Sequence, residues 1–275
     1  MLQTTDFDGH DGTRLRAYFG GNPDGPPLVI ANGLGGSIRS WRHVVNAFEG
    51  DYRIVSWDYR GLYGSGWPAD GRAFEVQDQA LDLGLLLDHF DVEQPVILGW
   101  SMGVQVTLEF LRHSQDRVAG FVAMHGTSGM PLATAFDGRT PRRFAPFIYK
   151  AVRRIWRLAM KPAPALASRR AFSSVFVGGG VRLGIMEPTL DRDVFWDMGQ
   201  DWVQLNLDHY CSLFEALDRH SAHDLLPDLN LPTLVVNGGR DRFTPPELGE
   251  EMARQIPGAE VFTLPGGTHF GLIEH

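Results

Sequence analysis

The chain is organised around one stretch, Val96-Ile97-Leu98-Gly99-Trp100-Ser101-Met102-Gly103, which runs directly into Val104-Gln105-Val106-Thr107-Leu108-Glu109-Phe110-Leu111. Val96 to Leu98 is a short apolar run of the kind a buried strand shows, and Val104, Leu108 and Leu111 recur at helical spacing. Only a sharp turn fits between them. Gly99 and Gly103 flank Ser101 in the spacing G-x-S-x-G, so strand and helix can pass closely while the serine sits at the apex in strained backbone geometry. The pattern predicts a serine hydroxyl presented at a sheet end, beside the free N–H groups and positive dipole end of a helix. Without that context the same five residues are only a Gly/Ser-rich turn.

A nucleophilic serine needs a base, and the base needs an orienting acid. Leu231 to Asn237 reads as a buried strand that runs through Gly238-Gly239-Arg240 and ends on Asp241. Ala259 to Leu264 repeats the shape, and Pro265-Gly266-Gly267-Thr268 delivers His269. The chain order Ser101, Asp241, His269 is the nucleophile, acid, base order of the α/β-hydrolases. On these residues the chain resembles an α/β-hydrolase-fold serine hydrolase of the esterase, lactonase and haloperoxidase-like group with a helical cap, and the resemblance runs along most of its length.

The resemblance implies an α/β architecture, a mostly parallel central sheet covered by helices on both faces. Alternating strands and helices agree: Leu28 to Ala31, Arg53 to Trp57, Val96 to Leu98 and Val118 to Met124 as strands, with helices over 40–48 and 76–90 and after Ser101. An antiparallel hairpin, Thr4 to Phe7 with Arg14 to Phe19, precedes them. The loop after the Leu28 strand reads Asn32-Gly33-Leu34-Gly35-Gly36-Ser37. In the family this loop usually reads His-Gly followed by a residue whose backbone N–H holds the oxyanion. The correspondence assigns that donor to Leu34 and the second to Met102, with Gly33, Trp100 and His125 expected beside substrate. Asn32 departs from the usual histidine, which bears on substrate preference. Asp58-Tyr59-Arg60-Gly61-Leu62-Tyr63-Gly64-Ser65 resembles the family's Asp-x-Arg-Gly segment with one extra residue, and an Asp and Arg beside a tight turn are expected to brace loops. His125 has a loop-packing reading beside the substrate-facing one.

After His125-Gly126-Thr127 the alternation breaks and resumes at Leu231, so residues 1–127 and 221–275 are expected to form the core and 128–220 an inserted helical cap. From Gly138 to Arg170 there are ten basic residues and no acid, in a chain whose net charge is −8. Phe144, Ile148, Ala151, Ile155, Leu158 and Ala159 fall at helical spacing among the arginines, a basic amphipathic helix. Its readings are a cap helix whose apolar face lines the pocket, peripheral contact with anionic lipid, or recognition of an acidic substrate group. Phe195, Trp196, Trp202, Leu205, Leu207, Tyr210, Leu213 and Phe214 suit a pocket for acyl or aryl groups, or ordinary packing.

Composition narrows the rest. Of 275 residues 43% are hydrophobic and 21% charged, ordinary for a globular chain that can bury a core. The negative charge argues against nucleic-acid binding, and no apolar stretch reaches membrane-spanning length. The N-terminus lacks a signal-peptide pattern. A single cysteine, Cys211, excludes an internal disulfide and makes a reducing cytoplasm the expected location. With no metal-ligand cluster, dinucleotide fingerprint or phosphate loop, no cofactor is expected. In relatives a further helix follows the histidine, so the chain is expected to be a shortened form of a longer one, with an apolar patch uncovered. The expected activity is hydrolysis of carboxylic esters or lactones of hydrophobic acyl groups, a small-molecule substrate. C–C bond hydrolysis or a cofactor-free perhydrolase reaction on the same residues is the alternative, and a non-catalytic lipid- or ligand-binding protein the alternative of another class. Ser101 argues against the dehalogenases and epoxide hydrolases of the fold, which carry an aspartate there. Oligomeric state is left open.

Overall fold

The structure, a computed structural model, describes residues 2–131, 154 and 177–275. Its centre is one sheet of β1 (Gln3–Asp8), β2 (Arg14–Gly21), β3 (Pro27–Ala31), β4 (Arg53–Trp57), β5 (Val96–Trp100), β6 (Gly120–Met124), β7 (Thr233–Gly238) and β8 (Glu260–Leu264). The strand order is β1-β2-β4-β3-β5-β6-β7-β8. β1 and β2 form the expected hairpin, with Phe7 opposite Leu15, and β2 pairs antiparallel to β4. From β4 to β8 all neighbours are parallel. The inner strands β3, β4 and β5 are buried beyond their first residue, which is why they read as continuous apolar runs.

Helices α1 (Arg42–Phe48), α2 (Val76–His89), α3 (Met102–Ser114), α4 (Arg192–Trp202), α5 (Leu207–Arg219), α6 (Pro246–Gln255) and α7 (Gly271–Glu274) flank the sheet. Two apolar clusters result. One joins Trp57, Leu83, Leu87, Ile97 and Leu108 with Leu213 of α5. The other joins Ile30, Trp41, Ile54 and Leu98 with Val194 of α4 and Ile273 of α7. Cys211 is buried in α5, a packing position. Among the described residues no helix is long and apolar enough to cross a membrane.

Two boundaries differ from the sequence reading. Residues 38–41 form a 3-10 turn before α1, so the first helix is split. β6 starts at Gly120 because the N–H of Val118 closes a 3-10 turn onto the Gln115 carbonyl and is not available to the ladder. Apart from Arg154, the basic stretch 139–170 lies outside the described residues, and so does the amphipathic helix read there.

The order of the parallel strands places the site. From β3 the chain moves to β4 on one side and then to β5 on the other, so the connections diverge between β3 and β5. Such a switch point opens a crevice at the carboxyl ends of the strands. The loop 32–37 follows β3, Ser101 follows β5, Asp241 follows β7 and His269 follows β8.

Candidate active site

Ser101 occupies the strand-to-helix turn between β5 and α3 with φ 54° and ψ −110°, outside the comfortable regions for a side-chain-bearing residue. Its neighbours make that turn possible. A Cβ on Gly103 would stand 2.0 Å from the Ala31 carbonyl oxygen, so only glycine lets α3 start this close to β3. The N–H of Ser101 donates to the Met124 carbonyl of β6 at 2.9 Å, fixing the apex from the other side.

The loops after β7 and β8 are zipped together by backbone bonds. Gly239 N–H donates to Leu264 O (2.8 Å) and Arg240 N–H to Gly267 O (2.9 Å). This pairing brings Asp241 to His269. The chain of contacts is continuous: Ser101 Oγ lies 3.0 Å from His269 Nε2, and His269 Nδ1 lies 2.8 Å from Asp241 Oδ2.

Asp241 is fully buried at its side chain yet well paired. Its Oδ1 accepts from the N–H groups of Phe243 (2.8 Å) and Thr244 (2.9 Å), and its Oδ2 also accepts from the Thr244 hydroxyl (2.8 Å). Burial alone would raise its pKa. The imidazoles of His269 and His125 and the Thr244 N–H outweigh burial and hold the carboxyl well below the usual carboxylate range. An ionised carboxylate can only accept, so the His269 proton sits on Nδ1 and Nε2 is free to accept the Ser101 hydroxyl proton. His269 keeps 14% side-chain exposure, so the dyad faces an opening and its acid does not.

The remaining residues singled out in the sequence take different places. Leu34 is half-buried in the loop after β3, and Met102 is the first residue of α3. Neither backbone N–H has an acceptor among the described residues. Trp100 is wedged between two loops. Its indole N–H donates to the His269 carbonyl (3.1 Å), and its ring fills the space where side chains on Gly33 and Gly36 would stand. His125, at φ 46° beyond β6, is 1% exposed, with Nδ1 3.6 Å from Asp241 Oδ2. Neither of its ring nitrogens has a hydrogen-bond partner among the described residues. It lies behind the acid, and Nε2 abuts the backbone at Gly271. Asn32 is buried, accepting from Trp41 Nε1 (2.7 Å) and donating to Trp57 O (3.1 Å), so it shapes the loop.

Two supports were not read from the sequence. Thr244 completes the acid's hydrogen bonds, and the short spacing from Asp241 to a hydroxyl residue was its only signal. Glu274 accepts from the N–H (2.9 Å) and hydroxyl (2.7 Å) of Thr268 and from the Glu187 N–H (2.8 Å), bracing the turn that carries His269. Among the described residues no group of three or more His, Cys, Asp or Glu could hold a metal ion.

Known proteins share the fold of this chain. Over 296 residues the chain is 25% identical to the protein named Probable oxidoreductase EphD of Mycobacterium tuberculosis, covering 98% of this chain and 46% of that protein. The chain thus spans about half the length of that relative. The crystal structure of the esterase RhEst1 from Rhodococcus sp. superposes with a TM-score of 0.76 at 23% identity, covering 98% of this chain and 93% of that one. The enol-lactonase from Burkholderia xenovorans gives 0.76 at 22% identity, covering 98% and 94%. At these identities the two structures speak for the fold. Residues 26–275 match the alpha/beta hydrolase fold family, and the chain belongs to that family.

Proposed function

We propose that the protein is a serine hydrolase that cleaves carboxylic ester or lactone bonds through an acyl-enzyme on Ser101. The observation that carries this reading is the unbroken contact chain from Ser101 Oγ through His269 to a buried, ionised Asp241. His269 Nε2 takes the Ser101 proton as Oγ bonds to the acyl carbon, and the carbonyl electron pair moves onto oxygen. Collapse of the tetrahedral species breaks the carbon–oxygen bond, and the departing alkoxide takes the proton back from Nε2. Water then adds to the acyl-enzyme, passing a proton through the same nitrogen to Ser101 Oγ as the acid leaves. With a lactone the leaving alkoxide stays tethered, and the product is a hydroxy acid. Asp241 fixes the imidazole tautomer and stabilises its charged form.

The N–H groups of Leu34 and Met102 are the oxyanion donors in this reading. Support comes from their lack of other acceptors and from the packing of α3 against the Ala31 and Asn32 carbonyls, which makes the two donor segments neighbours. Loss of one such donor typically costs about 3 kcal/mol of transition-state stabilisation. In this reading α4 and α5, the described helices of the segment after Thr127, lie against the loop after β3 through Trp202 and Tyr210, and their aromatic residues bias the site toward apolar acyl groups. The names of the esterase and lactonase neighbours agree with this substrate class.

The test is a fluorophosphonate reaction followed by intact mass. Wild type takes one adduct and Ser101→Ala takes none, after which short- and long-chain nitrophenyl esters and simple lactones define the substrate range. A folded wild type that takes no adduct and cleaves neither series would overturn the reading.

A further inference from the structure

The loop that carries Leu34 is fastened at both ends, and the two fastenings come from different parts of the molecule. On the upstream side the core holds Asn32 through Trp41 and Trp57, and the Asn32 carbonyl accepts from the Tyr59 hydroxyl at 2.8 Å. On the downstream side the partners lie in α4, within the segment 128–220 that separates the two parts of the core sequence. The indole N–H of Trp202 donates to the Gly35 carbonyl at 2.6 Å, and the Ser37 hydroxyl donates to Asp201 Oδ2 at 2.7 Å. Tyr63 donates to the same Gly35 carbonyl from the core side.

The loop backbone is moulded to that contact. Gly35 has φ 75°, and a Cβ there would meet Tyr210 at 3.0 Å and Trp202 at 3.2 Å, so the aromatic rings of α4 and α5 lie against the bare backbone. Between the fastenings, Gly36 N–H donates to the Gly33 carbonyl at 2.8 Å. The Gly33 carbonyl and the Leu34 N–H belong to one planar trans peptide and point in opposite directions. Whatever fixes Gly35, Gly36 and Ser37 therefore fixes the direction of the Leu34 N–H.

We propose that Trp202 and Asp201 are positioning residues for the oxyanion donor of Leu34, so that the donor is aligned only while α4 is seated on the loop. The proposal rests on the reading of Leu34 as an oxyanion donor. It makes α4 part of the apparatus that stabilises the transition state. Neither residue touches the reacting atoms. Their effect reaches the chemistry through a peptide plane, where small misplacements are costly because the donor must meet an oxygen that develops charge.

The experiment compares Trp202→Phe, which keeps an aromatic side chain of smaller size and removes the N–H, with Asp201→Leu, Asp201→Asn and Ser37→Ala. For Trp202→Phe and Asp201→Leu the expected result is a fall in kcat of about tenfold with KM within about twofold. Affinity for a trifluoromethyl ketone, which forms the tetrahedral adduct, should fall in step with kcat/KM, while affinity for the product carboxylate holds. Asp201→Asn keeps an acceptor for Ser37 and should recover most of the loss. Ser37→Ala removes the same bond from the loop side and should not add to Asp201→Leu in the double variant. Amide hydrogen exchange gives an answer independent of turnover: peptides covering residues 32–37 exchange faster in the deficient variants, and those covering α2 do not. Unchanged exchange in 32–37 together with unchanged ketone affinity overturns the proposal. A wild type that neither turns over nor takes a fluorophosphonate would instead remove the acyl-transfer reading, and the exchange comparison would still decide whether α4 holds the loop.

Discussion

At the scale of single residues, the sharpest consequence lies in how Asp241 is held. Its Oδ1 faces two backbone N–H groups, so in Asp241→Asn the amide oxygen is forced to that side. The amide NH2 then takes the Oδ2 position, 2.8 Å from His269 Nδ1 in the wild type. Facing a donor, Nδ1 must accept, the proton moves to Nε2, and the imidazole can no longer take the Ser101 proton. We expect kcat to fall about 10³–10⁴-fold with KM little changed and the fold intact by circular dichroism. A loss below tenfold would mean that the imidazole does not act as the base. Ser101 and Asp241 could be read from the sequence because each follows a buried apolar strand, and His269 because a glycine-containing turn follows β8, which is an edge strand with Val261 and Phe262 exposed and not the buried strand its apolar residues suggested. The burial of His125 behind Asp241 and the Thr244 contact could not. Both depend on side chains meeting across separate loops, which leaves no periodic trace.

At the scale of elements, the segment after β4 is braced by a buried ion pair. Arg60, with a fully buried side chain, donates to both oxygens of Asp82 on α2 (2.6 and 2.7 Å), to Asp11 in the β1–β2 turn (2.8 Å) and to the Ala73 carbonyl (3.0 Å). One guanidinium thus joins the hairpin, the β4 loop and α2. Asp82→Ala leaves this cation buried with only partial compensation. Chemical denaturation should show a loss of about 3–5 kcal/mol, and the double change Arg60→Met with Asp82→Leu should cost less than the single one. Equal costs would mean that packing, and not the orphaned charge, sets the penalty. The Asp-x-Arg-Gly resemblance pointed to a brace without naming its partners, because Asp11 and Asp82 lie far from Arg60 in sequence. Strands β3 to β7 were legible from apolar runs, whereas the seating of α4 on residues 35–43 was not. That contact joins Asp191, Asp197 and Asp201 to His43, Arg42 and Arg39. Scattered surface charges carry no such pairing information until the fold brings the two elements together.

For the whole molecule, the buried and paired carboxyl groups divide into two sets that oppose each other in pH. Asp241 and Asp11 are held below their ordinary range although burial opposes it, Asp11 at about 2 through Thr13 and Arg60. Hydrogen bonding from His220 lowers Glu109 against burial. Their stabilisation is present above the unfolded-state pKa values and is lost as pH falls through the folded ones. Burial raises Asp82, Asp201 and above all Asp58, which reaches about 7 despite the bonds it accepts from the Gly64 N–H and the Tyr18 hydroxyl. For these the unfolded chain has lost its proton while the folded one still holds it, so their contribution is complete below the unfolded pKa and drains away as pH rises toward the folded value. Stability should therefore peak on the mildly acidic side. Asp58 alone should account for a decline on the order of a few kcal/mol between about pH 4 and pH 7. The net charge of −8 adds general repulsion at high pH, so the slope by itself does not identify Asp58. Asp58→Asn does, because it keeps the shape and an oxygen acceptor and removes the titration. Urea unfolding across this range should show a steep fall for wild type and a flatter line for the variant, with the variant the more stable of the two at pH 8. Parallel lines would mean that Asp58 is ionised at little cost in the native state, and that the decline belongs to the surface charge as a whole.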